Sequence, residues 1–133
     1  MSNTPQNSTQ GAAFLHSLVD LIGKPYKCGE RGPDMFDCYG LVIYIYKKLG
    51  VELSEFLGFE TLRQYSLKMH TEINREGSIW QEIGKPEQFC VVALSKNRLI
   101  HHVGVWLEFS KHDKRCLHAA DGAAVMADTI EKL

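Results

Sequence analysis

Cys38 stands in the run Phe36-Asp37-Cys38-Tyr39-Gly40-Leu41-Val42, one residue after an aspartate suited to cap a helix. At such a position the first-turn backbone N–H groups are unpaired and the positive end of the helix dipole faces the sulfur. That setting favours thiolate, the nucleophilic form, and leaves the Cys38 N–H free to donate to a developing oxyanion. A buried core thiol would fit the position equally well. A thiolate nucleophile needs a histidine to carry its proton, and six are present: His16, His70, His101, His102, His112 and His118. His16 and His70 fall within helical patterns as surface or packing residues, and His112 lies in a polar turn. His101, His102 and His118 lie on predicted strands. Side chains alternate along a strand, so at most one of the adjacent pair should face a cleft containing Cys38. His118 on the next strand could orient either one, and alternation does not choose between them.

The elements that would hold these residues follow from periodicity. Phe14, Leu15, Leu18, Val19 and Ile22 form an amphipathic helical stripe that Ser8 or Thr9 can cap and that Gly23 and Pro25 stop. Residues 37–50 read as a second helix, capped by Asp37, with Lys47 and Lys48 in the last turn and Gly50 beyond it. Its run Leu41–Tyr46 is rich in β-formers, but caps and period agree on helix. A third helix is expected over Glu60–Asn74, with Leu62, Tyr65, Met69 and Ile73 as its apolar stripe and its end near Gly77. Short apolar runs then alternate with turn clusters: Ile79–Ile83, Phe89–Ser95, Leu99–Phe109, Arg115–Ala120 and Ala124–Ile130. Helices first and about five antiparallel strands afterwards make an α+β domain.

Bulk properties bound the function. The 133 residues suit one domain, 11–133, behind a polar, disordered segment 1–10. Net charge is −1 with no basic stripe, which speaks against a nucleic-acid partner, and nothing suggests attraction to a membrane. No secretion signal or spanning segment is apparent, so cytoplasmic synthesis is expected. The four cysteines, separated by 9, 51 and 25 residues, match neither a disulfide framework nor a common zinc pattern.

Three segments together resemble the NlpC family of cell-wall endopeptidases. Gly23-Lys-Pro-Tyr26 followed by Asp37-Cys38-Tyr39-Gly40-Leu41-Val42 is similar to its nucleophile region. His102-Val103-Gly104-Val105-Trp106 resembles its second motif, and Leu117-His118-Ala119 its third. The resemblance selects His102 over His101. It implies a papain-like fold in which the Cys-bearing helix packs on an antiparallel sheet. It further implies that Cys38 attacks an amide carbonyl, His102 moves the proton, His118 orients His102 and Tyr26 lends its hydroxyl near the oxyanion. No cofactor or metal is needed. The implied substrate is the peptidoglycan stem peptide, at a bond of the D-glutamate–diamino acid type. Tyr39 stands where the family usually has serine, which resembles the branch found in phage tail-assembly proteins. Phage tail-tip proteins are then the expected partners, and the virion tail or target periplasm the place of action. The competing readings are an amidase toxin delivered by a contractile secretion system, a catalytically silent tail subunit, a metal site on Cys28, Cys38, His102 and His118, and an acyltransferase.

Overall fold

The computed structural model describes residues 8–56 and 59–133. The polar segment expected over residues 1–10 lies largely outside them. Three helices precede a four-stranded antiparallel sheet: α1 (Ser8–Val19), α2 (Cys38–Lys48), α3 (Leu62–Asn74), β1 (Val91–Lys96), β2 (Leu99–Glu108), β3 (Lys114–Ala119) and β4 (Val125–Asp128). The strands lie in the order β1-β2-β3-β4, each paired to its chain neighbour. This is the expected α+β layout, with one strand fewer. Ile79–Ile83 forms no strand: Ile79 is 64% and Ile83 43% exposed, so the run is apolar without a sheet to join. Phe89, at φ 67, precedes β1, and Ile130 belongs to a short 3-10 turn after β4.

Helix α2 is the centre of the molecule. Asp37 caps it, Leu49 ends it and Gly50 follows at φ 84. Leu41, Val42 and Ile45 are fully buried in a helix that packs on β2 and β3, each worth about 1.5–3 kcal/mol of burial. The facing strands contribute Val103, Val105, Leu107, Leu117 and Ala119 to the same core. Helix α3 starts with a capping box, in which Thr61 and Gln64 satisfy each other's backbone amides. It buries Tyr65 and Met69, while Leu62, expected on that stripe, stays exposed. In α1 the buried residue is Leu18. Ile22 lies beyond the helix and is 44% exposed, its expected core place taken by Leu21.

The segment between α1 and α2 completes the sheet edge. Gly23 N–H donates to the Val125 carbonyl, and Val125 N–H to that of Lys24. Pro25 bridges to Ala124. A proline without an N–H is tolerated at such an edge. Tyr26 is thereby brought alongside β4.

Candidate functional site

Asp37 anchors the head of α2. Its Oδ1 accepts from Gly40 N–H at 2.7 Å and from Arg31 at 2.6 Å, and its Oδ2 accepts from Gly29 N–H at 2.7 Å. A fully buried carboxylate is tolerable when its lone pairs are filled in this way. Arg31 continues outward to Glu55 through two further bonds of 2.7 and 2.9 Å. The loop thus folds against the helix start so closely that a Cβ on Gly40 would overlap the Glu30 carbonyl oxygen. Asp37 therefore both caps the helix and ties down the loop over it.

First-turn amides account for themselves one by one. Gly40 N–H goes to Asp37, and Tyr39 N–H goes to the Tyr65 hydroxyl at 3.0 Å. Cys38 N–H has no partner among the described residues, so it remains available to an incoming oxygen. The Tyr65 hydroxyl, which accepts from Tyr39, also lies 3.6 Å from Cys38 Sγ, within reach to exchange a hydrogen bond with the sulfur.

Cys38 is 3% exposed. Burial pushes its thiol up to about 11, against the opposing pull of the Tyr65 hydroxyl and the Val103 backbone. The resting sulfur is therefore a thiol, and the helix-end field expected to favour thiolate is outweighed by desolvation. Burial likewise holds His102 down to about 4, aided by the neighbouring His118 and His101. Both partners rest neutral.

The two sheet histidines form a chain with Asp128. His102 Nε2 is 2.8 Å from His118 Nδ1, and His118 Nε2 is 2.8 Å from Asp128 Oδ2. A carboxylate only accepts, so His118 Nε2 carries a proton toward Asp128, and in the neutral ring His118 Nδ1 is then an acceptor. His102 then donates from Nε2, which leaves His102 Nδ1 unprotonated and free to take a proton. Strand register makes the chain possible: His118 pairs with Met126 and Cys116 with Asp128, so His118 and Asp128 are diagonal neighbours. Gly104 makes room, since a Cβ there would lie 2.9 Å from His118 Cβ and 2.8 Å from the Leu117 oxygen. Asp128→Asn, which presents a donor as readily as an acceptor, is expected to scramble these tautomers. Imidazole nitrogen NMR shifts of His118 and His102 would report it; unchanged shifts would refute the assigned proton order.

A cavity of about 260 Å³ is walled by Tyr26, Cys38, Leu62, Tyr65, Ser66, His101, His102 and Asp121. It brings together Tyr26, Cys38 and His102, with His118 behind His102. Cys28, Cys90 and Cys116 lie outside its wall. Sγ and His102 share the cavity without a direct hydrogen bond, as catalytic pairs often do before substrate arrives. The expectation that only one of His101 and His102 could face the cleft is corrected. Leu94 pairs with His102 and Ser95 with Ile100, so His101 is an extra residue with no partner in β1. Such a bulge breaks alternation and re-aims side chains. Tyr26 lines the same cavity, partly buried, and burial together with the nearby Cys38 keeps its hydroxyl protonated far above neutrality. Asp128 and Tyr65 were not among the expected site residues.

A cysteine at a buried helix start, set beside a histidine pair on an antiparallel sheet, defines the papain-like class of site. The NlpC/P60 family model matches residues 23–132, and the chain belongs to that family. The probable endopeptidase p60 of Listeria grayi is 39% identical over 54 residues, 40% of this chain and 11% of that protein's length. Among solved structures, the NlpC/p60 domain of the peptidoglycan hydrolase SagA shares 23% identity at a TM-score of 0.58, covering 92% of each chain. NlpC2 from Trichomonas vaginalis shares 17% at a TM-score of 0.62, over 98% of this chain and 46% of that one. At these identities the structural likeness speaks for the fold alone.

Proposed function

We propose that the protein is a cysteine endopeptidase or amidase that hydrolyses an amide bond in the peptidoglycan stem peptide. The observation that carries this reading is the chain from Asp128 through His118 to His102, which ends in the cavity that holds Cys38. The family match and the name of one relative, a probable endopeptidase, support the peptidase class.

In this mechanism Cys38 Sγ attacks the amide carbon as its proton passes to His102 Nδ1. Because thiol and imidazole both rest neutral, transfer accompanies attack rather than preceding it. The oxyanion takes its hydrogen bonds from Cys38 N–H and the Tyr26 hydroxyl. His102 returns the proton to the leaving nitrogen, and the C–N bond breaks to leave a thioester. Water then attacks the thioester, giving its proton to His102, and the carboxylate leaves as Sγ is reprotonated. Through both steps His118 and Asp128 keep the His102 ring in one orientation and favour its transient positive charge.

The finer setting is a phage or prophage tail component cutting a D-glutamate–diamino acid bond. It rests on Tyr39, which replaces serine after the nucleophile as in the tail-assembly branch. Tyr39 is built into the fold here: its ring packs on Phe56 and its hydroxyl donates to the Ser54 carbonyl at 2.6 Å. Mass spectrometry of purified muropeptides incubated with the protein tests the chemistry, with antibody labelling of phage particles testing the setting. Expected are two products whose masses sum to the substrate plus one water, and label at the tail tip. Intact muropeptides would reject the hydrolase reading, and label confined to the host envelope would reject the tail.

A further inference from the structure

Beside the catalytic cavity runs a second, larger hollow of about 600 Å³, between α3 and the β1–β2 hairpin. Leu62, Ser66 and His101 line both, so the two lie side by side. Its apolar side is Leu62, Leu67 and Leu99; its rim carries Arg63, Lys96 and Arg98. No acidic residue lines it. None of these three cations has an ion-pair partner among the described residues, in a chain whose net charge is −1. The positive charge is local, and uncompensated where it sits.

Two details show that the rim is built rather than accidental. Ile100 N–H donates to His70 Nδ1 at 3.1 Å, which fixes the ring of this groove-lining residue and places its proton on Nε2. The hairpin turn Asn97-Arg98 has φ 53 and φ 64, the pattern of a two-residue turn that favours Asn-Gly. Arginine in the second position is held in backbone that glycine would occupy without strain, and the side chain it keeps there is a cation on the groove rim.

On the hydrolase reading above, we propose that this groove is a substrate subsite for a carboxylate-bearing stretch of the peptide next to the bond being cut. Arg63, Arg98 and the His70 Nε2–H read the carboxylates. Asp121, on the wall of the catalytic cavity but not of the groove, disfavours the same groups there and so sets the direction in which the peptide lies. The enzyme therefore distinguishes stem peptides with free carboxylates from those in which they are amidated.

The test uses calorimetric binding to Cys38→Ala protein, so that it reads independently of turnover. Stem peptides with free and with amidated carboxylates are compared on that background, alone and combined with Arg63→Gln and Arg98→Gly. Glycine suits the turn, so the triple variant should melt no lower than its parent, and lost binding then reports lost charge. The free-carboxylate peptide should bind about tenfold tighter than the amidated one, and the triple variant, which keeps His70 and Lys96, should cut the difference to about twofold. Equal binding of both peptides by the parent, or a preference undiminished in the triple variant, would overturn the proposal. So would tighter binding of a glycerol-phosphate oligomer than of the peptide, because it would assign the groove to a wall phosphate polymer. If wild-type protein leaves muropeptides intact while the carboxylate preference holds, the failure lies in the hydrolase reading and not in the groove.

Discussion

Cys38→Ala is expected to abolish cleavage of wall peptide, a loss of about six orders of magnitude in kcat of the kind seen when a covalent nucleophile is removed. Nothing else in the cavity can replace the sulfur. The other cysteines lie outside its wall, and Ser66, which does line it, has no base within hydrogen-bond reach. The fold should survive the change. The helix start is held by Asp37, Arg31 and the Gly40 and Gly29 amides, none of which involves the Cys38 side chain. What the substitution does remove is the contact from Sγ to the Tyr65 hydroxyl, while Tyr65 keeps its bond from Tyr39 N–H. Cys38→Ser sharpens the test. It keeps an attacking atom of similar place, but an imidazole held down to about 4 is a poor base for an alcohol. Its turnover should fall roughly a thousandfold or more below wild type. Muropeptide cleavage followed by mass spectrometry, with thermal melts of all three proteins, checks both. Equal rates for wild type and Cys38→Ala would exclude the thioester route.

What the sequence revealed of this site was the part that local chain chemistry controls. Asp37 as cap, Gly50 beyond the helix end and the apolar face of α2 depend on residues within a few positions of one another, and the structure has them as expected. The Gly23-Lys-Pro-Tyr26 segment was recognisable by resemblance, but its reason is long-range: it pairs with residues beyond β3. The histidine pair shows the limit more sharply. Alternation along β2 was reliable only while the strand was regular, and the unpaired His101 cancelled it. Asp128 lay inside an expected strand, Ala124–Ile130, yet its partnership with His118 depends on the register between β3 and β4, which no spacing along the chain reveals. Tyr65 read as one apolar residue in a helical stripe. Its ring does pack in the core; its hydroxyl, at the nucleophile, has no sequence signal. Ile79–Ile83 failed for the opposite reason: a run of β-formers is a strand only when another strand offers its backbone groups.

His102→Gln carries the second large effect, and it separates catalysis from stability. Loss of the base should lower kcat about 10⁴-fold, since the thiol then has no acceptor for its proton during attack. The wild-type pH dependence follows from the same group. Because His102 is held down to about 4, its neutral, active form persists to acid pH, and kcat/KM should fall tenfold per pH unit only below about 4. Cys38, pushed up to about 11, contributes no limb through neutrality, so the profile is flat where a resting thiolate–imidazolium pair would give a bell. Stability behaves differently. Above pH 6.5, the ordinary histidine value, folded and unfolded chains both hold neutral imidazole and no energy is lost. Between 6.5 and about 4 only the unfolded chain takes up the proton, so stability declines as pH falls, and below about 4 both states are protonated and the decline from this group ends. At about 1.4 kcal/mol per pH unit the total is roughly 3 kcal/mol. Glutamine can still donate to His118 Nδ1 but cannot titrate, so the variant should lose that decline. Denaturant midpoints of the two proteins from pH 7.5 to 4, where the wild type should fall progressively away from the variant as pH drops, measure it. Parallel curves would mean that His102 is not held neutral by burial, and the flat activity profile would have to be abandoned with it.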